Sequence, residues 1–243
     1  MGIRRGSIST PIIADGLVFN MDPANRASYP RIGTTATDTV SNKNGTISGA
    51  TFINTNIKTF DFDGTDDSIN FGDSDLFSFG NGSVDSPFSV SSWWNMDSYL
   101  SFRAIQKVGS SNSEWRINTV NGGSFRFNLY DNNNSNYIGI TSDSDFSSYQ
   151  DNWINVVCTY DGSSTANGCI AYVNGSILAT SANTAGSYTA MHNLSAEFNI
   201  GQSAFVGANT DANGQIANIQ IYNRELSANE VLHNYNALKS RFE

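Results

Sequence analysis

Residues 153–175 read Trp153-Ile-Asn-Val-Val-Cys-Thr-Tyr-Asp-Gly162, Ser-Ser-Thr-Ala-Asn-Gly168 and Cys169-Ile-Ala-Tyr-Val-Asn-Gly175. Two short runs rich in β-branched and aromatic residues each end on a turn dipeptide, Asp161-Gly162 and Asn174-Gly175, as consecutive antiparallel strands do. The same pattern recurs along the chain. Gly16 to Met21, Lys58 to Phe62, Phe88 to Trp94, Glu114 to Asn118, Ser124 to Tyr130, Phe198 to Gly201 and Gln215 to Tyr222 alternate apolar and polar or run short and apolar. Turn signals punctuate them at Asn44-Gly45, Asp63-Gly64, Asn81-Gly82, Asn121-Gly122-Gly123 and Asn213-Gly214. Short strands with no long helix between them predict an all-β fold, an antiparallel sandwich or jelly roll.

One helix is predicted, at 228–240. Ser227 caps it, Glu230 completes a capping box, and Val231, Tyr235 and Leu238 share the face that lies against the sandwich. Residues 1–15 lack either periodicity and form an N-terminal arm, leaving 16–243 as one domain. The arm carries Arg4 and Arg5 but no apolar stretch or cleavage pattern, so no export signal is expected. Cys158 and Cys169 could face each other across a hairpin, but are read as reduced, partly buried thiols.

Composition narrows the function. The 243 residues include 15 Phe, 10 Tyr and 4 Trp, enough for one large core, and Asn, Ser and Thr make up about a third of the chain, as turns and solvent-facing strand positions require. Thirteen Lys+Arg against 22 Asp+Glu give a formal net charge of −9, which repels a phosphate backbone. Nucleic acid is excluded as a partner on that ground, and no apolar run is long enough to insert in a membrane. Catalysis is argued against by missing motifs. Glu225, Glu230 and Glu243 lie in or near the final helix, no Glu-x-Asp-x-x-Glu strand occurs, and His192 and His233 sit in no nucleophile or metalloprotease motif.

Two residue sets carry binding chemistry. Trp94, Trp115 and Tyr137 are candidate stacking surfaces for sugar rings, Tyr137 at the edge of the polar loop Asp131 to Asn136. The carboxylates Asp61, Asp63, Asp66, Asp67, Asp73 and Asp75 suit a hard cation such as Ca²⁺ but equally suit turns, and no EF-hand is formed because Gly72 stands at its twelfth position.

The run Gly16-Leu17-Val18 to Asp22, then Tyr29-Pro30, Asp38, Ser41 to Thr46 and Phe60-Asp61-Phe62-Asp63-Gly64-Thr65-Asp66-Asp67 resembles the opening of the laminin G-like, concanavalin A-like jelly-roll family. Phe88 to Trp93, Trp153 to Gly162, Tyr172 to Gly175 and Gly214 to Val231 resemble its later strands and closing helix. The resemblance implies an all-β, two-sheet antiparallel jelly-roll sandwich with a short C-terminal helix, a domain that binds sugars, proteins or a structural Ca²⁺. Carried over, the ion would lie at Asp38, Asn42 and Asn218, although Ala217-Asn218 stands where the family often has Asp-Glu, which removes a charged ligand. The stand-alone form with a short arm resembles structural proteins of tailed-bacteriophage particles. That implies a non-enzymatic protein on the outer surface of a virion, a capsid-decoration or head- or tail-fibre subunit. Ile3, Arg4 and Arg5 would dock it to other virion proteins, with host glycans as a second partner and a homo-oligomer left open. The alternatives are a bacterial carbohydrate-binding module or lectin, or a glucanase-type hydrolase, which requires two carboxylates ~5–9 Å apart.

Overall fold

The computed structural model describes residues 11–120, 122–202 and 211–243. The described strands are β1 (Leu17–Met21), β2 (Thr35–Thr37), β3 (Asn44–Ser48), β4 (Thr51–Asn54), β5 (Lys58–Asp63), β6 (Ser68–Asn70), β7 (Phe88–Met96), β8 (Phe102–Val108) and β9 (Ser113–Thr119). They continue with β10 (Ser124–Tyr130), β11 (Tyr137–Asp145), β12 (Trp153–Tyr160), β13 (Cys169–Val173), β14 (Ser176–Ile177), β15 (Thr180–Ala182), β16 (Phe198–Ile200) and β17 (Asn213–Tyr222). They make two antiparallel sheets of a jelly-roll sandwich. One runs β14-β13-β12-β7-β17-β5-β4, with β1 also on β17, and the other β15-β11-β10-β9-β8-β16-β6-β3-β2.

The core follows from strand alternation. Phe88, Val90, Trp94 and Met96 of β7 point inward, as do Ile154, Val156, Cys158 and Tyr160 of β12, and from the other sheet Ile105, Trp115, Ile117, Phe125 and Phe127 meet them. Aromatic rings fill the space in edge and stacked pairs. Phe19 stands edge-on to Phe71 at 4.9 Å, and Phe79 stacks on Phe88 at 4.1 Å.

The helix α1 (Ala228–Leu238) forms with the capping box read from the sequence, Ser227 accepting from Glu230 N–H and Glu230 reaching back. A single 3₁₀ turn, Lys239–Arg241, replaces its predicted last residues. The helix and tail cover the outer side of the first sheet, the helix-side sheet: Val231 packs with Val157, Tyr172 and Tyr222, and Phe242 stacks on Trp93 at 4.0 Å. Pro11 to Asp15, assigned to the arm by sequence, are bonded into the body. Ile13 N–H donates to Asn234, Tyr222 O–H to the Ile13 carbonyl, and Arg224 pairs with Asp15.

Two expected turns are strand instead. Asn44-Gly45 lies in β3, where Gly45 serves close packing: a Cβ there would sit 2.7 Å from the Phe71 ring. Asn213-Gly214 begins β17. Cys158 and Cys169 are free and buried, in the diagonal relation set by the pairs Cys158–Ala171 and Tyr160–Cys169, and burial pushes both thiols up.

Candidate functional site

The helix and tail cover one outer face of the sandwich. The other, on the second or groove-side sheet, is polar. Its register aligns Thr35, Thr46, Asn70, Asn199, Gln106, Arg116, Asn128 and Gly139 one opposite the next across eight strands from β2 to β11. Their strand neighbours Ile69, Ile200, Ile105, Ile117 and Phe127 belong to the core, so this row lies on the outer side of the sheet, with Thr35 and Thr46 exposed and Gln106, Asn128 and Asn199 buried. Seven steps of ~4.8 Å make the row ~34 Å long.

The row is organised by hydrogen bonds. Asn183 Nδ2 donates to Asn128 Oδ1 at 2.9 Å, and Asn70 Nδ2 to Glu197 Oε2 at 2.7 Å. Gln106 Nε2 donates to the Gln202 carbonyl at 2.6 Å, while its Oε1, also buried, has no partner among the described residues. Gly139 leaves room for close packing against β10: a Cβ there would sit 2.1 Å from the Phe127 carbonyl oxygen and 2.7 Å from Asn128 Oδ1. Two depressions flank the Asn70–Glu197 bond. One, of about 530 Å³, is lined by Thr46, Ser48, Ser68 and Gly72; the other, of about 450 Å³, by Ser110, Asn112, Ser195 and Asn199.

The wall of the second depression is tied down by a buried ammonium. Lys107 Nζ donates to Glu114 Oε1 at 2.7 Å, Asp73 Oδ1 at 2.9 Å and the carbonyls of Leu194 and Ala196 at 3.1 and 2.8 Å. Glu114 also accepts from Leu194 N–H. Burial pushes the Glu114 carboxyl up, against the opposing pull of Lys107.

At the other end of the row three arginines converge. Arg116 and Arg126 project from adjacent strands in the diagonal relation set by the pairs Arg116–Asn128 and Asn118–Arg126. Arg103 lies at the bulge of β8 opposite Asn118. The guanidinium of Arg116 sits 5.6 Å from the Tyr130 ring, and Tyr137 meets Tyr130 edge-on at 5.7 Å. Burial, then the like charge of Arg116, lowers Arg103 to about 10, against the opposing pull of Tyr130 and Asp211.

The structure redistributes the residues expected from the sequence. Trp94 and Trp115 are corrected: both are 0% exposed, Trp94 Nε1 donating to Ser92 Oγ at 2.6 Å and Trp115 Nε1 to the Phe77 carbonyl at 2.8 Å. No ring can stack on either. Tyr137 is half-buried at the rim of the polar face.

The donors expected for Ca²⁺ do not fit it. Asp38 is fully buried and accepts from Asn20, Val40 and Ser41 backbone N–H groups and from Ser41 Oγ. Asn42 is an exposed turn residue with φ 60°. The Asn218 amide oxygen accepts from Gln220, and its Nδ2 donates to Asp22 at 3.3 Å. Asp22 in turn holds Arg241 through two bonds of 2.7 and 2.8 Å, so a guanidinium supplies the positive charge there. Oxygens of Asp63, Asp66 and Asp67 lie within 4.8 Å of one another, but Asp63 and Asp67 accept from the backbone N–H groups of Thr65 and Asp63 as turn carboxylates do. Ile3, Arg4 and Arg5 lie outside the described residues.

The arginine face escaped the sequence reading because its members are single residues on three strands. The available signal was the alternation Arg116-Ile-Asn118 and Arg126-Phe-Asn128, which puts cation and amide on one side.

Comparison with known proteins agrees with this architecture. No curated protein matches the chain. Among solved structures, the binding domain of Paraclostridial Mosquitocidal Protein 1 superposes with a TM-score of 0.66 at 16% identity, over 91% of this chain and 52% of that one. The botulinum neurotoxin serotype G binding domain gives 0.66 at 17%, over 92% and 51%. Trypanosoma rangeli sialidase in complex with sialic acid gives 0.66 at 16%, over 97% and 36%. The chain thus spans about half or less of the structures it matches, which share its fold. The family model described as the concanavalin A-like lectin/glucanases superfamily, of laminin G type, matches residues 63–232, the greater part of the chain. On that match the chain, with its two antiparallel sheets and closing helix, belongs to the laminin G-like, concanavalin A-like lectin/glucanase superfamily.

Proposed function

We propose that the domain is a non-catalytic glycan-binding module whose platform is the outer face of the groove-side sheet. The in-register polar row from Thr35 to Gly139 carries this reading. Amide, hydroxyl and guanidinium groups at strand spacing match the donors and acceptors along an extended saccharide, and the sheet holds them preorganised. Glycoside hydrolysis needs two carboxylates across the bond. Of the residues lining the two depressions Glu197 is the single carboxylate, and it is exposed and bonded to Asn70. The test is titration of the ¹⁵N-labelled chain with neutral and acidic oligosaccharides. Shifts clustered on β6, β8, β9, β10 and β16, weakened by Asn128→Ala, support the reading; shifts confined to the helix side, or none, sink it.

The setting we propose is the surface of a virus particle, attached through residues 1–10. Pro11 to Asp15 leave the body beside α1, opposite the polar face, so attachment there would present that face outward. Proteomics of purified particles, with the chain lacking residues 1–10 as control, tests it: a truncated chain that still joins particles overturns the docking.

A further inference from the structure

We propose that Glu197, held in place by Asn70, sets the ligand class on this face: its carboxylate accepts the hydroxyls of a neutral saccharide lying across the two depressions and turns acidic sugars away. The inference rests on the glycan-binding reading above and names the ligand class.

The two depressions meet at one side-chain pair. Asn70 and Glu197 line both of them, so the 2.7 Å bond from Asn70 Nδ2 to Glu197 Oε2 forms the ridge between them. Hydroxyls and amides stand around it, Thr46 and Ser68 on one side and Ser110 and Asn112 on the other, and Glu197 is the one charged side chain among the described lining residues. The ridge is fixed from several directions. Asn70 Oδ1 accepts from Gly72 N–H at 2.6 Å, and Asn70 stands opposite Asn199 in the pairing of β6 with β16. Phe198, next to Glu197, lies in the core with its N–H on the Gly72 carbonyl, and on the other side the Ala196 carbonyl is held by the buried Lys107. A charged acceptor is therefore preorganised at an exposed position, and its Oε1 has no hydrogen-bond partner among the described residues.

A second acceptor lies in the same row. Gln106, 1% exposed, stands opposite Asn199; its Nε2 is committed to the Gln202 carbonyl, and its Oε1 has no partner among the described residues. Asn199 and Gln202 both line the second depression, so this acceptor borders it. A buried acceptor without a donor is costly, and a ligand hydroxyl would remove that cost. Both groups left over are acceptors, so the complementary ligand brings donors. Sugar hydroxyls do, and their bonds to a carboxylate are short and strong. A ligand carboxylate or sulfate brings acceptors alone. It would meet Glu197 with no cation among the described lining residues and a chain charge of −9 behind it, since the Lys107 ammonium beneath the wall is already matched by Glu114 and Asp73. Preference for a neutral ring thus comes from repulsion of the charged one as well as from fit.

Calorimetry on the full chain tests this with oligosaccharides of equal length, three neutral (malto-, cello- and manno-oligosaccharide) and one carboxylated (oligogalacturonate). At least one neutral ligand should bind about tenfold or more tightly than the oligogalacturonate and change little between low and high salt. Glu197→Gln keeps the shape and removes the charge; with the melting temperature unchanged it should weaken neutral binding by about tenfold, as the loss of a charge-assisted hydrogen bond does. Glu197→Lys should abolish the preference and bring the oligogalacturonate level with the neutral ligand, a change that a merely structural role would not produce. On saturation of the ¹⁵N-labelled chain the Gln106 side-chain amide signal should shift. A Gln106 signal that stays unmoved, neutral binding untouched by both Glu197 variants, or oligogalacturonate binding as tightly as every neutral ligand overturns the inference and leaves the glycan reading standing. If none of the four binds, both fall.

Discussion

Substituting Lys107 by Met removes an ammonium that is 0% exposed and satisfies Glu114, Asp73 and two backbone carbonyls at once. Met preserves most of the volume, so packing loss is small. What remains is the Glu114 side chain, also 0% exposed, now without its counterion. Breaking one partner of a buried pair costs about 3–5 kcal/mol. For a domain of this size each kcal/mol lowers the melting temperature by about 2–4 °C, so Lys107→Met should melt about 6–20 °C below the parent at pH 7. The deficit should depend on pH. Burial already raises the Glu114 carboxyl above its ordinary value of 4.5, and losing Lys107 raises it further. A carboxyl raised in the folded state contributes most favourably when protonated, and that contribution is lost as pH climbs through its folded value. The gap to the parent should therefore narrow as pH falls toward 4.5. Adding Glu114→Gln should recover a large part of the loss, because no buried charge then lacks a partner. Calorimetric melts of the parent, both single variants and the double variant at several pH values form the assay. A single Lys107→Met variant melting within about 3 °C of the parent at pH 7 would refute the reasoning.

Trp115→Phe should lose about 1 kcal/mol for its missing bond to Phe77 while leaving ligand affinity unchanged; a selective loss of affinity would return Trp115 to the binding surface. Millimolar Ca²⁺ or EDTA should leave the melting temperature unmoved, whereas Arg241→Gln should cost about 1–3 kcal/mol by leaving Asp22 without its bidentate partner; a Ca²⁺-dependent rise in the parent would count against the arginine lock. Glu230, held down at about 2 by Arg224 and Ser227, adds stability that is complete above its ordinary value of 4.5 and fades as pH falls through about 2. Melts of Glu230→Gln against the parent should converge across that window, and a constant gap would show that the pair contributes nothing through ionisation.

Much of the fold was legible because alternation is a local property. β7, β9, β10, β12 and β17 all fall where period-two reading put them, and the capping box placed α1 to within a few residues. β8 was not read as a strand, since its bulge between Phe102 and Ile105 breaks the alternation. β11 was missed because its second half, Thr141 to Asp145, is polar on both sides. The site was harder. Trp94 shares its parity with Phe88, Val90 and Met96, and Trp115 with Ile117, so alternation alone would have sent both inward. Choosing them for their chemistry overrode that signal. The arginine face needed tertiary information, because which strands become neighbours across β8, β9 and β10 is decided by pairing that a single strand does not encode.

Both ends of the described chain converge on the helix side. Pro11 is bonded to His233 of α1, and Phe242 is stacked on Trp93 beneath the tail. Any tether to this domain, whether a neighbouring domain, a particle or a sensor surface, therefore pulls from behind the sandwich. Force on such a tether loads first the seam between the Pro11 to Asp15 segment, α1 and β17. The opposite sheet, with its row of amides and arginines, is left outside the mechanical path, so a bound ligand and an anchoring load would act on different layers of the same small molecule.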